Sequence, residues 1–158
     1  MIKQITIRKA TTGDIPAIVE LWKELMDYHK KMNALFTRSA AGHKQFAKYL
    51  KKHIHSRNFL VLVAADGKRP VGYCLSKISK YPPVFKKQKY VDPFDLAVTE
   101  KYRRRGIGSR FIKTVRQWCA KRGISRIEAR YSTENEAAAG FWAKVGFCPY
   151  LKTTFLEM

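Results

Sequence analysis

Between Tyr90 and Arg110 an apolar strand pattern, ending Asp95-Leu96-Ala97-Val98, runs into a cationic turn, Arg103-Arg104-Arg105-Gly106-Ile107-Gly108-Ser109-Arg110, that opens a helix. Two glycines one residue apart let the backbone fold tightly, so that several N–H groups point the same way. The positive end of the following helix adds to their pull on an anion. Such a turn grips phosphate. A dinucleotide fingerprint would need a third glycine where Phe111 stands, and a Walker A loop would need Gly-Lys-Ser/Thr after a four-residue gap, where the chain has Phe111, Ile112 and Lys113. Both are excluded.

Farther along, Asn135, Ala138, Phe141, Trp142, Gly146 and Phe147 recur at fixed spacing. With Arg103, Gly106 and Gly108 they resemble the two motifs of the GNAT superfamily of acyl-CoA-dependent N-acyltransferases, Arg/Gln-x-x-Gly-x-Gly/Ala and Asn-x-x-Ala-x-x-Phe-Tyr-x-x-x-Gly-Phe. The two motifs stand in the family's order, separated by one helix and one strand. The resemblance implies acetyl-CoA as co-substrate. Main-chain N–H groups from Arg104 to Ser109, Ile107 among them, would hold its pyrophosphate, with Arg103, Arg104 and Arg105 adding charge-assisted bonds. The pantetheine arm would lie along Leu96, Ala97 and Val98, and the Val98 N–H would stabilise the oxyanion formed as an amine attacks the thioester. Asn135, by the same resemblance, bonds the cofactor arm; as a residue it is equally suited to cap the next helix. A bulky residue at Gly108 is expected to fill the turn, abolish cofactor affinity and spare the fold.

Position 142 departs from the pattern, since many members have Tyr there to protonate the departing sulfur. An indole N–H is too weak an acid for that. Thiols leave readily as thiolates, with pKa near ~8.5, so the acid is dispensable or lies elsewhere, with Tyr131 the substitute to test and solvent the default. The attacking amine, with pKa around ~10.4, must give its proton to a carboxylate or an ordered water. Asp92 and Asp95 flank the apolar Phe94 on the strand that enters the turn. Their spacing of three puts them on opposite strand faces unless a bulge or a kink at Pro93 intervenes. Asp95 matches the family's acidic position better; either acid also offsets nearby arginines.

The elements that must position these groups follow from periodicity. Ile5 and Ile7 mark a short strand; Thr12 or Asp14 caps a helix with the stripe Ile15, Ile18, Val19, Trp22, Leu25 and Met26. Phe46, Tyr49, Leu50, His53 and Ile54 mark a second helix, basic on its outer side, that either lines a substrate groove or coats the surface. Strand-like runs occupy 59–65 and 71–78, joined by a turn at Asp66-Gly67-Lys68-Arg69-Pro70, and then 90–98. A helix from about Ile107 to Arg122, a strand from Arg126 to Tyr131, a helix from about Glu136 to Val145 and a closing strand from Tyr150 to Glu157 complete the order. The expected fold is α/β in one domain spanning 1–158: a mixed, mostly antiparallel sheet with a parallel strand-helix-strand unit at the cofactor site and helices on both faces.

Composition bounds the rest. The chain has 158 residues, 46% hydrophobic, and a net charge of +20. Residues 101 to 130 carry eleven Lys and Arg against Glu128, half of that net charge. Such a field draws in an anionic cofactor and suits an anionic acceptor or nucleic acid. No run is apolar and long enough to span a bilayer, and no secretion signal opens the chain, so a cytoplasmic protein without membrane contact is expected. Cys74, Cys119 and Cys148 lack metal-site spacing, and His53 and His55 point to different sides of their helix, so no metal is expected. The expected activity is acetyl transfer to a primary amine by direct attack in a ternary complex. The alternatives are a catalytically weak module that binds nucleic acid, or an acetyltransferase acting on a tRNA-linked or ribosomal amine. Monomer and homodimer both remain open.

Overall fold

Alternation in the run 59–65 sends Leu60, Leu62 and Ala64 to one face of a strand and Val61 and Val63 to the other, and all five are buried because helices cover both faces. The computed structural model describes residues 5–158. Along the chain come β1 (Thr6–Lys9), α1 (Ile15–Lys30), α2 (Gly42–His53), β2 (Phe59–Asp66), β3 (Arg69–Lys80), β4 (Lys89–Val98), α3 (Ile107–Ala120) and α4 (Glu136–Lys144). Short 3-10 turns lie at Thr12–Asp14, Ala34–Phe36 and Glu100–Tyr102. The four strands pair antiparallel in the order β1-β2-β3-β4. On one face Ile18, Val19, Leu21 and Leu50 of α1 and α2 pack against Val61, Val63, Tyr73 and Leu75. On the other, Phe111, Val115, Trp118 and Cys119 of α3 pack against Leu60, Leu62, Cys74 and Val91. The α1 stripe is as predicted for Ile15, Ile18 and Val19, with Leu21 added, while Trp22, Leu25 and Met26 are only half-buried.

Of the two candidates Thr12 and Asp14, it is Asp14 that stands at the N-cap of α1, without a side-chain bond to the helix. Thr12 lies inside the preceding 3-10 turn. The Asp14 carboxylate, though at the first position before α1, turns back to accept the Thr11 N–H at 2.8 Å, the Thr11 hydroxyl at 3.1 Å and the Arg8 guanidinium at 2.7 and 2.8 Å. The bidentate ion pair therefore ties β1 to the entry of α1.

The predicted hairpin turn tightens to Gly67 and Lys68, with Gly67 at φ 60°, and a register shift at Ala64/Ala65 leaves Pro70 opposite Ala65. Two later strands are absent. Arg126 to Tyr131 makes a single parallel rung, Val91 with Ile127, in which the Val91 N–H donates to Arg126 O at 2.9 Å and the Glu128 N–H to Val91 O at 2.9 Å. The next rung would need an N–H from Pro93, which has none, so the parallel ladder stops where it starts. With no ladder to extend, Tyr150 to Glu157 runs as irregular chain: Tyr150 donates its hydroxyl to Glu128 at 2.7 Å, while Leu151, Phe155 and Leu156 are exposed.

α3 crosses α4 at Gly108. A Cβ there would sit 2.7 Å from Phe141 Cε2, well inside contact distance, so glycine is demanded by the packing of one helix on the other. The expectation that a bulky residue would spare the fold is therefore corrected. Gly108→Ala should destabilise the protein by roughly 1–3 kcal/mol, the usual cost of overpacking, read by urea unfolding. Stability should also depend on the Asp14 pair. The Arg8 guanidinium, together with the Thr11 bonds, outweighs the effect of burial and holds the Asp14 carboxyl at about 2 against an ordinary 3.8. A depressed carboxylate stabilises the fold above its unfolded pKa and loses that contribution as pH falls from about 4 to about 2. Asp14→Asn should accordingly lower Tm at pH 7 and narrow its gap to the parent protein at pH 2.

Candidate active site at the end of β4

β4 is the last strand of the sheet, so one of its edges meets no strand beyond the rung at Val91. The Thr99 N–H donates to Val71 O at 2.9 Å, and Val98 is aligned with Gly72. Antiparallel alternation then turns the N–H and C=O of Leu96 and Val98 outward and commits those of Ala97 to β3. Of the three residues predicted to lie beside the pantetheine arm, two present main-chain groups to the open edge. The Val98 carbonyl is already engaged, since Arg103 Nε donates to it at 2.9 Å. That leaves the Val98 N–H as the outward donor.

Arg103 thus clamps the end of β4 at its Nε, and the turn beyond it takes its shape from the backbone. Arg104 at φ 62° and Gly106 at φ 76° are both left-handed and flank Arg105. Gly106 is the N-cap of α3 and supplies no side-chain acceptor; the first main-chain bond of the helix is Arg110 N–H to Gly106 O at 3.1 Å. The N–H groups of Ile107, Gly108 and Ser109 therefore have no intrahelical acceptor, and they lie at the positive end of the helix. Open space surrounds the position of a Gly106 Cβ. Arg105 lies over the Tyr102 ring at 5.3 Å, and Tyr102 donates to Asp66 at 2.7 Å, which braces the turn against the β2–β3 hairpin.

The acids meet through a bulge. Leu75 pairs with Asp95 and Lys77 with Asp92, so one β3 residue, Ser76, opposes two β4 residues, Pro93 and Phe94. Leu75 and Lys77 are two apart and share a face; their partners Asp92 and Asp95 therefore share that face too, the one covered by α1 and α2. Burial pushes the Asp95 carboxyl up to about 7, opposed by the Tyr73 hydroxyl. Tyr73 is fully buried on the same face, its hydroxyl has no hydrogen-bond partner of normal geometry, and burial with the Asp95 charge drives its own pKa well up. Asp92 is 2% exposed; burial raises its pKa against the pull of Arg130, whose guanidinium lies 3.8 Å away, and of Lys77. Its Oδ1 is unpartnered. Tyr49 of α2 is the third wall, its pKa raised by burial and by both acid charges. Sequence reasoning missed Tyr73, and placed Tyr49 only on a helix that either lines a substrate groove or coats the surface. Tyr73 lay in an apolar strand run, where a buried tyrosine reads as core, but a hydroxyl needing a partner was the signal.

The second motif supports this corner. Asn135, 7% exposed, accepts the Ala138 N–H at 3.0 Å through Oδ1 and so caps α4. Phe141 packs on Gly108. Trp142 is buried, edge-on to Phe141 at 5.0 Å and to Phe147 at 4.9 Å. Tyr131 is 38% exposed in the irregular segment beyond Ile127. Among the described residues no three His, Cys, Asp or Glu cluster as a metal site, and no helix is long and apolar enough to cross a membrane.

Comparison with known proteins bears on the fold and the family. The chain is 25% identical over 147 residues to an uncharacterised N-acetyltransferase of Methanocaldococcus jannaschii; the match covers 93% of this chain and 62% of the relative, so the chain spans under two thirds of that protein's length. The structure of a tetramutant of the BH1408 protein of Bacillus halodurans superposes with a TM-score of 0.82 at 23% identity, covering 97% of this chain and 99% of that one. An aminoglycoside N-acetyltransferase, AAC(6')-Iy, solved in complex with CoA, superposes with a TM-score of 0.80 at 15% identity, covering 98% and 95%. The model of the acetyltransferase (GNAT) family matches residues 18–147, which contain the sheet edge, the Arg103–Ser109 turn and both motifs. The chain belongs to the acetyltransferase (GNAT) family, a family of acyltransferases.

Proposed function

We propose that the chain, as one domain, transfers an acetyl group from acetyl-CoA to a primary amine by direct attack in a ternary complex. The observation that carries this reading is the joining of an open strand edge to an uncapped helix start: the outward groups of Leu96 and Val98 lead directly into the left-handed Arg104–Gly106 turn. A ligand with a diphosphate at one end and an amide-bearing arm at the other matches both halves. Ile107, Gly108 and Ser109 N–H groups would hold the diphosphate, and Arg104 and Arg105 would add charge. The Val98 N–H would stabilise the oxyanion. The AAC(6')-Iy structure with CoA supports a ligand of this kind on this fold, and an acyl-CoA donor fits a cytoplasmic setting.

The acceptor nitrogen must be neutral to attack, and Asp95, with a carboxyl at about 7, is suited to take its proton near neutrality. Nitrogen attacks the thioester carbon, the C–S bond breaks, and CoA leaves as thiolate; Trp142 is packed between two aromatic rings and needs no part in that step. Arg103, by holding the Val98 carbonyl, keeps the strand end in place for the N–H on the same residue.

Two outcomes test the reading. Calorimetry should detect CoA binding, and Gly106→Glu, which meets no neighbour but places a carboxylate in the turn and an L side chain at φ 76°, should weaken it by at least ~10-fold. Undiminished binding would exclude the turn as the phosphate site. For Asp95, the base acts deprotonated, so kcat/KM should rise with pH through about 7. Asp95→Asn should remove that inflection and cost roughly 10²–10⁴-fold. Because its folded pKa is raised, Asp95 loses stabilising effect as pH climbs from about 4 to about 7, so the same variant should melt higher than the parent protein at pH 8.

A further inference from the structure

On the face of the sheet that carries Asp92 and Asp95, a groove of about 510 Å³ opens between α1, the Ala34–Phe36 turn and α2. Its apolar walls are Trp22, Met26, Leu35, Phe36, Phe46 and Tyr49. Trp22 and Phe46 stack at 4.6 Å, giving the groove a flat aromatic floor, and Leu35 at its mouth is 82% exposed. The inner end is Tyr49, whose ring stands edge-on to Phe94 at 6.5 Å, beside the bulge that turns both acids inward. Tyr49 lines the groove and its ring meets Phe94, the residue before Asp95, so the groove ends beside the strand that carries the acids.

No Asp or Glu lines this groove. The charged group on its wall, Arg38, is bound to Asp27 at 2.9 Å, and Lys44, Lys48, Lys51 and Lys52 ride on the exposed side of α2. A polycation therefore finds no carboxylate free of a partner along these walls, since Asp27 is already held by Arg38. A single nitrogen is different: behind Tyr49 and Phe94, past the inner end of the groove, the bulge carries Asp95 and Asp92, and Asp92 Oδ1 is buried without a partner. Flat apolar walls with charge at one end select a molecule built the same way.

Resting on the acetyl-transfer reading, we propose that the acceptor is a primary monoamine on an apolar, planar or branched body, its nitrogen toward Asp95 and its body between the Trp22–Phe46 stack and Leu35. Aminoglycosides and polyamines are excluded by the same walls. The test is a panel of amines with acetyl-CoA, product measured by chromatography: phenethylamine and hexylamine against spermidine and kanamycin. The two monoamines should exceed both polycations by at least ~10-fold in kcat/KM, the scale on which apolar pockets discriminate. Leu35→Glu, a change at an exposed position, should lower kcat/KM for phenethylamine by ~10-fold and raise that for spermidine, with CoA affinity from calorimetry unaltered. Preference for spermidine or kanamycin, or a Leu35→Glu protein indifferent to the amine, would overturn the proposal while leaving acetyl transfer standing. Loss of CoA binding with no amine acetylated would remove both.

Discussion

One extra residue in β4 governs the working face of this protein. Because Pro93 and Phe94 together oppose Ser76, the strand changes phase between Asp92 and Asp95, and two acids three apart come to lie on one side. Below the bulge β4 still meets the segment at Ile127; above it, Pro93 has no N–H to continue that pairing and the strand edge is left open. The same residue pair therefore gathers the carboxylates on the helical face and exposes the main chain of Leu96 and Val98. Without the phase change, either Asp92 or Asp95 would face α3, in a core of Phe111, Val115 and Trp118 that offers a charge no partner.

Charge is distributed to match. Part of the excess of cations lies on α2 and α3 and at the Arg103–Arg105 turn, where a left-handed backbone meets the positive start of a helix. Negative charge is scarce, and only a few of the acids lie inside. Asp14 is spent on Arg8 and Glu128 on Arg126, Tyr81 and Tyr150, while Asp92 and Asp95 are left with weak partners and raised pKa values. Buried acids without strong partners cost stability, and such groups concentrate where chemistry is done. Tyr73 fits the same pattern, as a buried hydroxyl facing Asp95 without a fully formed bond.

Much of this was readable beforehand. Period-two and period-3.6 patterns located β1 to β4 and α1 to α4, and Gly123 and Gly146, at φ 64° and 90°, follow the ends of α3 and α4 as glycines past a helix end commonly do. The two motifs named the family. Misreadings arose where a local pattern had no partner in space. Arg126 to Tyr131 and Tyr150 to Glu157 have strand composition, yet a strand exists only where another chain segment completes its bonds, and Pro93 denies the first of them that completion. A bulky residue at Gly108 was expected to spare the fold, since a turn motif says nothing of Phe141 thirty-three residues away.

The sequence by itself determined the four helices, the four strands of the sheet, the place of the Arg103–Ser109 turn and the family to which the chain belongs, because each depends on residues close together in the chain: periodicity, left-handed glycines, helix ends. Tertiary structure alone decided that Asp92 and Asp95 share a face, that Arg103 holds the Val98 carbonyl, that Tyr73 and Tyr49 stand against the acids, and that an aromatic groove ends there. Those facts depend on strand register and helix packing, which are fixed by contacts between distant residues and have no signature in any one stretch of chain.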